Sequence, residues 1–246
     1  MDIKRELIKK AVQECVDKGA KVLYSGGVFK IHDTKKGTAK RILVVTNSYI
    51  TYFKIGSKPI EDRKHYWTKI TSFDFKDDTI DLTFDDSPFR FQSPQIEKIA
   101  GTLMEIFFRC FTQDELAPLD LSRFPHPPIT VNASGILNRF AIFLESENVK
   151  CNPETYKEFV TFVSCMKPTY TLRDSDKLAK LTLSTIRAAP YLRILIVQTA
   201  GSTQNLYQSL QEFLEKPSNT RLIVLSNRPD DHYVEFSQVL SKSPIC

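Results

Sequence analysis

The feature that most constrains this chain is a change in hydrophobic period near residue 131. Between residues 20 and 93, apolar side chains mostly alternate with polar ones in short runs that are separated by turn residues. A period of two is typical of β-strands with one buried face. Beyond residue 131 the apolar residues recur at every third or fourth position, which is typical of amphipathic helices. The sequence therefore predicts two regions of different architecture.

The first region is predicted to hold one helix, a series of strands and a second helix. Residues 3–19 have apolar side chains at helical spacing, and Gly19 is placed to cap the helix end. We expect "TNS" to form a hairpin turn, and Gly26-Gly27 to form a β-bulge or a tight bend. Residues 93–111 carry the stripe of the second helix. The strand segments between the helices are "KVLYSGGVFKI" (21–31), "RILVVTNSYITYFKI" (41–55), "YWTKITSFDFKDD" (66–78) and "TIDLTFDDSPFRFQS" (79–93).

This outline of about seven short strands and one C-terminal helix, in roughly ninety residues, resembles a pleckstrin-homology (PH) barrel. The hairpin "KRILVVTNSYITYFK" is the part most similar to the PH and GRAM consensus. The resemblance implies an α+β PH-like β-barrel whose C-terminal helix plugs one open end. Most PH domains carry a Trp in that helix, whereas this chain has Phe107 and Phe108.

The second region follows a Pro-containing linker, "DELAPLDLSRFPHPPIT" (114–130), which has four Pro and little periodicity. Two amphipathic helices come next, and Asn152 followed by Pro153 is a helix-start signal. Strands and helices then alternate. The predicted domains are an N-terminal helix (1–19), a PH-like domain (20–112), a linker (113–131) and a helical cap with repeats (132–246).

A 28-residue offset relates the last two predicted strands. It aligns Ile194, Ile196 and Thr199 with Leu222, Val224 and Asn227. This spacing resembles the LxxLxLxxN pattern of ribonuclease-inhibitor-type leucine-rich repeats, which have one strand and one helix per repeat. Asn227 would bond backbone groups in the turn that leaves the strand, and Thr199 is a weaker match. The pattern predicts an α/β leucine-rich repeat solenoid segment with a helical N-terminal cap.

The order of these parts resembles CARMIL proteins, the capping-protein regulators and myosin I linkers. The resemblance covers almost the whole chain and implies a non-enzymatic, cytoplasmic scaffold of the actin cytoskeleton, peripheral at the plasma membrane. Its PH-like domain would dock on membrane, and its repeats would bind cytoskeletal proteins. Family members carry many more repeats, a dimerisation segment and a tail with the capping-protein-interaction motif. The 246 residues hold none of these, so we expect a fragment or a short relative, without capping-protein regulation.

The net charge of +5 is concentrated in the first third of the chain. Residues 1–69 hold sixteen Lys and Arg against seven Asp and Glu. Such a surface suggests an anionic partner, phospholipid or nucleic acid, and the PH resemblance favours phospholipid over nucleic acid. The loops after the first and third strands of a PH barrel open at the same end. The predicted lipid-binding residues in and beside them are Lys30, Lys35, Lys36, Lys40, Arg41, Lys54, Lys58, Arg63 and Lys64.

The basic residues predict binding that is driven by charge and weakly selective. Lys40 and Arg41 are adjacent and would point to opposite faces of a strand, so the [KR]-x-R pair of strong phosphoinositide binders is missing. Each Lys or Arg near an anionic leaflet contributes about 1 kcal/mol. An ordinary solvated loop is the alternative interpretation. A second alternative is a pure protein–protein interaction module with no lipid binding.

Protein partners of the repeats would contact the concave face, where the candidates are Arg173, Arg193, Leu195 and Arg221. The repeat pattern has no further unit to cover the apolar edge at residues 221–240, which predicts self-association through that edge.

No catalytic, metal or cofactor site is predicted. The four His are far apart, and no nucleophile is paired with a base, which argues against an enzyme hidden in a misread fold. The acidic run from Asp77 to Asp86 could suggest calcium, but it lacks the spacing of an EF-hand loop, so turn and surface positions explain it better. Five Cys without a CxxC pair fit a reducing cytosol.

Overall fold

The computed structural model divides the chain into two compact units, Met1–Thr130 and Val131–Cys246. Within the part of the chain that the structure describes, no helix is long and apolar enough to cross a membrane. The finer domain boundaries stay predictions. The structure describes residues 3–32, 37–85, 87–111, 119, 132–173, 176–198, 204–215 and 218–225.

In its described residues, the first unit is an antiparallel sheet flanked by two helices, α1 (Arg5–Asp17) and α2 (Ile96–Cys110). Eight described strands form the sheet in the order β4-β3-β2-β1-β8-β7-β6, with β5 paired to β3. A single 3-10 turn, Trp67–Lys69, links β5 to β6. The strands are β1 (Val22–Ile31), β2 (Thr38–Thr46), β3 (Tyr49–Lys54), β4 (Ile60–Glu61), β5 (His65–Tyr66), β6 (Ile70–Lys76), β7 (Thr79–Phe84) and β8 (Ser87–Gln92).

Helix α1 ends as its sequence predicts. Gly19 has a φ of 85°, in the left-handed region that favours glycine. The N–H of Gly19 donates to the carbonyl of Val16 at 2.8 Å, and the N–H of Ala20 donates to that of Cys15 at 3.1 Å. These two bonds form a Schellman motif, so the predicted cap is confirmed.

The predicted bulge at Gly26-Gly27 is wrong. Gly26 pairs with Leu43 in a regular ladder, and the irregularity lies between Val22 and Tyr24 instead. The fold needs a glycine at position 26 for another reason: a Cβ there would lie 2.4 Å from the hydroxyl oxygen of Tyr24. The missing side chain makes room for the Tyr24 ring on the same face of β1.

The predicted hairpin turn at "TNS" is confirmed between β2 and β3. The buried Thr46 hydroxyl accepts hydrogen bonds from the N–H groups of Ser48 (3.2 Å) and Tyr49 (2.9 Å). The Asn47 side chain accepts from the N–H of Lys21 at 3.1 Å and so ties the turn to the start of β1. Side chains of the turn residues thereby satisfy backbone groups that the ladder leaves free.

The interior of the sheet is aromatic, and α2 packs against it. Phe107 is fully buried and meets Trp67 and Phe73 edge-to-face, with ring centroids 5.9 and 5.7 Å apart. Trp67 comes from the turn before β6, so the indole enters this core from the sheet and not from the helix. Phe108 is only half-buried, so Phe107 takes the larger part in the packing. Helix α1 covers the outer face of β2 and β3.

The second unit contains a parallel sheet in the order β11-β10-β9. Both predicted helices before it are confirmed, and each begins at an Asn. The Asn132 side chain accepts from the N–H of Gly135, and that of Asn152 from Thr155, both at 2.8 Å. The elements in its described residues are α3 (Ala133–Ser146), α4 (Pro153–Ser164), β9 (Thr169–Leu172), α5 (Asp176–Ile186), β10 (Ile194–Val197), α6 (Gln204–Leu214) and β11 (Leu222–Leu225).

The offset between β10 and β11 is as predicted, but the direction in which their side chains face is not. Ile194 pairs with Leu222, which is the 28-residue offset. Leu195 and Val197 are 0% and 2% exposed within the helix-covered core, whereas Leu222 is 50% exposed. The repeat pattern places Ile194 and Ile196 in the core, whereas the structure buries Leu195 and Val197, one residue later. The predicted choice of inward-facing positions is therefore wrong.

This one-residue shift removes the main support for placing Thr199 and Asn227 at the asparagine position of the repeat. The inward-facing pairs are Leu195 and Val197 in β10, which are buried, and Ile223 and Leu225 in β11, which are half-buried. Counted from these pairs, the asparagine position of LxxLxLxxN falls on Ala200 and Arg228. The residues predicted for that role, Thr199 and Asn227, lie outside the described residues. The described part of this unit is a parallel β–α–β–α–β arrangement, and a leucine-rich repeat solenoid stays a prediction.

Candidate functional site

Three of the predicted basic residues lie on one face at one end of the antiparallel sheet. Arg41 pairs with Val28 on β1 and with Lys54 on β3, and residues paired across strands share a face. Lys30 is two residues beyond Val28 and therefore lies on the same face. We call Lys30, Arg41 and Lys54 the inner-rim cluster.

This face is the inner one. Tyr52 precedes Lys54 by two residues, is 1% exposed, and stacks on Phe89 with ring centroids 4.0 Å apart. The Lys30 ammonium lies 5.0 Å from the centroid of the Tyr52 ring, a cation–π contact. The inner-rim cluster thus forms the edge of an aromatic interior.

An acidic residue, Asp62, sits within this cluster. Its carboxylate lies 3.5 Å from the Lys30 ammonium and accepts a hydrogen bond from the N–H of Arg63 at 3.0 Å. Burial raises the pKa of Asp62, but the N–H of Arg63 and the charges of Lys30 and Lys54 outweigh burial and hold the pKa below its usual value. Asp62 is therefore ionised and neutralises part of the cluster.

His65 is the second residue that the sequence did not predict for this region. Its ring lies between Phe84 and Phe89, with centroid distances of 5.1 and 4.9 Å. Burial lowers the pKa of His65 to about 4, and the charges of Arg63 and Lys30 act in the same direction. The imidazole is therefore neutral near pH 7 and adds no charge to the cluster.

The other predicted lipid-binding residues lie elsewhere. Lys40 is exposed on the opposite face of β2 from Arg41, since the two are adjacent in one strand. The Lys64 ammonium lies 4.2 Å from the centroid of the Tyr49 ring, next to the outer face that α1 covers. Lys58 and Arg63 are exposed in and beyond the β3–β4 loop. Lys35 and Lys36 lie outside the described residues.

The predicted partner-binding residues of the second unit are not brought together in the same way. Leu195 is fully buried under the helices, so its assignment to an exposed face is wrong. The Arg193 guanidinium donates to the carbonyls of Pro190 (2.7 Å) and Leu192 (3.0 Å) in its own loop. Arg221 is exposed at the start of β11.

Arg173 borders a groove between α4 and the edge of β9 that pairs with no described strand. The groove has a volume of about 500 Å³. Phe162 and Tyr170 are its most buried lining residues, and Glu158 on α4 binds the Arg173 guanidinium through both carboxylate oxygens at 3.0 Å. The remaining lining residues are Glu154, Lys157, Thr161, Lys167, Thr169 and Thr171.

The acidic residues of the first unit do not form a metal site in the described part of the chain. No group of three or more His, Cys, Asp or Glu side chains there is arranged to hold a metal ion. Asp77 and Asp85 have φ values of 54° and 44° at turns, and Asp81 pairs with Arg90. The placement agrees with turn and surface roles.

The comparisons with known proteins show no family for this chain. No protein-family model matches the chain, and no curated protein matches it. The chain is similar to the N-terminal PH domain of human ARAP2, with 15% identity and a TM-score of 0.30, over 44% of this chain and 87% of that domain. It is also similar to the C-terminal domain of an unknown protein from Leishmania infantum, with 11% identity and a TM-score of 0.34, over 42% of this chain and 99% of that one.

These likenesses are too distant to carry an argument about the fold or the function. The structure itself shows an α+β fold whose larger sheet is antiparallel, compatible with a PH-like barrel. The relation to CARMIL proteins is not named by any of the comparisons, and it stays a prediction.

Proposed function

We propose that the first unit docks on anionic membrane surfaces through the inner-rim cluster and the exposed cations of the adjoining loops. The observation that carries the proposal is the strand register, which brings Arg41 opposite Lys54 and places Lys30 on the same face. All three cations lie close to the β1–β2 and β3–β4 loops, so one approach to a flat surface engages them together.

The expected binding is weak and reversible. Each Lys or Arg that reaches an anionic leaflet contributes about 1 kcal/mol. Asp62 offsets part of the charge of Lys30, and no second cation alternates with Arg41 on the inner face of β2, where Ala39 stands. These features favour binding driven by charge density over recognition of one headgroup.

The wider role that we propose is a non-enzymatic scaffold of the actin cytoskeleton, cytoplasmic and peripheral at the plasma membrane. Its support is the resemblance of the sequence to CARMIL proteins, in which a PH-like domain precedes leucine-rich repeats. Binding of cytoskeletal proteins and self-association through residues 221–240 belong to the same proposal. Leu222 and Val224, which are 50% and 38% exposed, agree with an uncovered strand face.

Vesicle co-sedimentation tests the membrane proposal. The test variant carries Lys54→Glu, Lys58→Glu and Arg63→Glu, which are all exposed side chains. We expect binding to phosphatidylcholine vesicles that contain phosphatidylserine to fall at least about tenfold, because three attractive charges become repulsive. Wild-type binding should also weaken as salt rises, since exposed charges are screened over about 10 Å at 0.1 M salt.

The matched control carries Lys98→Glu, Lys150→Glu and Lys157→Glu, which changes net charge equally at exposed positions outside the cluster. The control should keep most of the binding. Equal loss in both variants would show that only net charge matters. Equal binding of the wild type to neutral vesicles would refute the electrostatic mechanism.

A second candidate function is peptide binding in the second unit, favoured by the edge of β9. The carbonyls of Pro168 and Leu172 accept from Ile194 (2.9 Å) and Gln198 (2.8 Å), so alternate residues of β9 bond to β10. The backbone groups of Thr169 and Thr171 therefore point to the other edge, which pairs with no described strand and borders the groove. Such an edge can accept an extended peptide. Failure of the wild type to sediment with any vesicle would favour this function.

A further inference from the structure

The position of Asp62 within the inner-rim cluster has a consequence for ligand binding. Its carboxylate is 3.5 Å from the Lys30 ammonium, and the two side chains are 28% and 29% exposed. A headgroup that approaches the cluster therefore meets an ion pair that is already formed and that water can reach.

We propose that Asp62 is an internal counter-anion that competes with membrane phosphate for Lys30 and Lys54, and that it limits both the strength and the headgroup selectivity of docking. This inference rests on the proposed membrane function, and it attributes the low headgroup selectivity expected of the first unit to one residue.

The backbone around Asp62 holds it in place. The N–H of Asp62 donates to the carbonyl of Tyr52 at 2.7 Å, which joins the segment to β3 beside the cluster. The pairing of Lys54 with Ile60 sets the position of the segment along β3. The carboxylate is then oriented by the N–H of Arg63 at 3.0 Å. Asp62 cannot leave the cluster without breaking the hydrogen bond at its carboxylate or moving the backbone of this segment.

The depressed pKa of Asp62 agrees with this role, since part of its cause is the positive charge of Lys30 and Lys54. The attraction is reciprocal, so the carboxylate lowers the positive potential that the two ammonium groups present to a ligand. The energy of a bound headgroup scales with the product of its charge and that potential. A multiply charged headgroup therefore loses more binding energy to Asp62 than a singly charged one does.

The test compares Asp62→Asn with the wild type in the full chain. Asn keeps the shape and the acceptor oxygen for the N–H of Arg63 but carries no charge. We expect binding to strengthen about fivefold to tenfold on phosphatidylcholine vesicles that contain phosphatidylinositol bisphosphate, and about twofold to threefold on vesicles that contain phosphatidylserine. Binding to pure phosphatidylcholine vesicles should not change.

Glu154→Gln is the matched control, because it removes one exposed negative charge from α4 in the second unit. It should change binding by less than about twofold. A second arm repeats Asp62→Asn in a Lys30→Met background, where the gain should shrink, because one of the two cations that Asp62 competes for is gone. A structural role of Asp62 would give the same gain in both backgrounds.

The outcomes separate this inference from the proposed function. If the wild type binds acidic vesicles and loses binding with the Lys54, Lys58 and Arg63 substitutions, the proposed function stands. In that case, equal effects of Asp62→Asn and Glu154→Gln would overturn the role of Asp62 alone. A wild type that does not bind, with an Asp62→Asn variant that does, would support the inference in its strongest form. If neither binds, both proposals fail.

Discussion

The two units of this chain bury their β-strands in different ways. In the first unit, β2 and β3 are covered on both faces, by the aromatic interior on one side and by α1 on the other. In the second unit, β10 buries Leu195 against helices, while Ile194 on the opposite face stays partly exposed. A strand of apolar residues is therefore covered on both faces in the first unit but on only one face in the described part of the second.

The two units also differ in how they carry charge. The inner-rim cluster of the first unit gathers three cations on one face, and two of them, Lys30 and Lys54, act on the pKa of Asp62. In the second unit, Arg173 is paired with Glu158 and Arg193 bonds its own loop. We therefore propose an anionic surface as the partner of the first unit, whereas the groove along β9 presents backbone groups and side chains of both charges.

The largest expected effect is in the aromatic core of the first unit. Phe107→Ala removes a fully buried ring that contacts Trp67, Phe73 and Phe111. We expect the free energy of unfolding to fall by about 3–5 kcal/mol. Trp67 is the only Trp in the chain, so its fluorescence follows this unit during denaturant unfolding. Phe108→Ala, at a half-buried position, should cost clearly less, and an equal cost would contradict the packing described for α2.

A smaller effect tests the two faces of the parallel sheet. Leu195→Ala should lower the free energy of unfolding by about 3 kcal/mol, since the side chain is fully buried. Leu222→Ala should cost less than about 1 kcal/mol, because Leu222 is 50% exposed. Denaturant unfolding followed by far-ultraviolet circular dichroism measures both. Equal costs would mean that the outer face of this sheet is covered in solution, and the contrast between the units would disappear.

The smallest effect is a pH dependence confined to the first unit. His65 has an unfolded pKa near 6.5 and a folded pKa of about 4, so below pH 6.5 the unfolded chain binds a proton that the folded chain does not. The contribution of His65 to stability should be constant above that pH. It should fall as pH drops toward 4 with a slope well under about 1.4 kcal/mol per pH unit, because His65 is only half-buried and solvent screens part of the effect.

His65→Phe removes this titration and keeps a ring beside Phe84 and Phe89. Its Trp67-monitored stability should be flatter than that of the wild type over the same pH range. The described part of the second unit contains no His, so no such slope is expected from it. A wild-type slope that persists in His65→Phe would place the titrating group elsewhere.

Local signals in the sequence were sufficient for much of the fold. The Gly19 cap, the "TNS" turn and the Asn152 helix start each depend on residues within a few positions of one another, and the structure forms all three. The alternating strands of the first unit and the 28-residue offset of the second also follow from the order of residues. Each of these features is fixed by backbone chemistry or by a repeated pattern.

The tertiary structure decided which face of a strand is buried and which charges meet. Residues 194–197 read Ile-Leu-Ile-Val and residues 222–225 read Leu-Ile-Val-Leu, so both alternating sets are apolar and hydrophobicity cannot choose between them. Only the helices packed on one side make Leu195 the core residue and Ile194 the outer one. Asp62 and Lys30 are likewise distant in sequence, and their ion pair exists because β4 pairs with β3, which brings the two residues to the same rim.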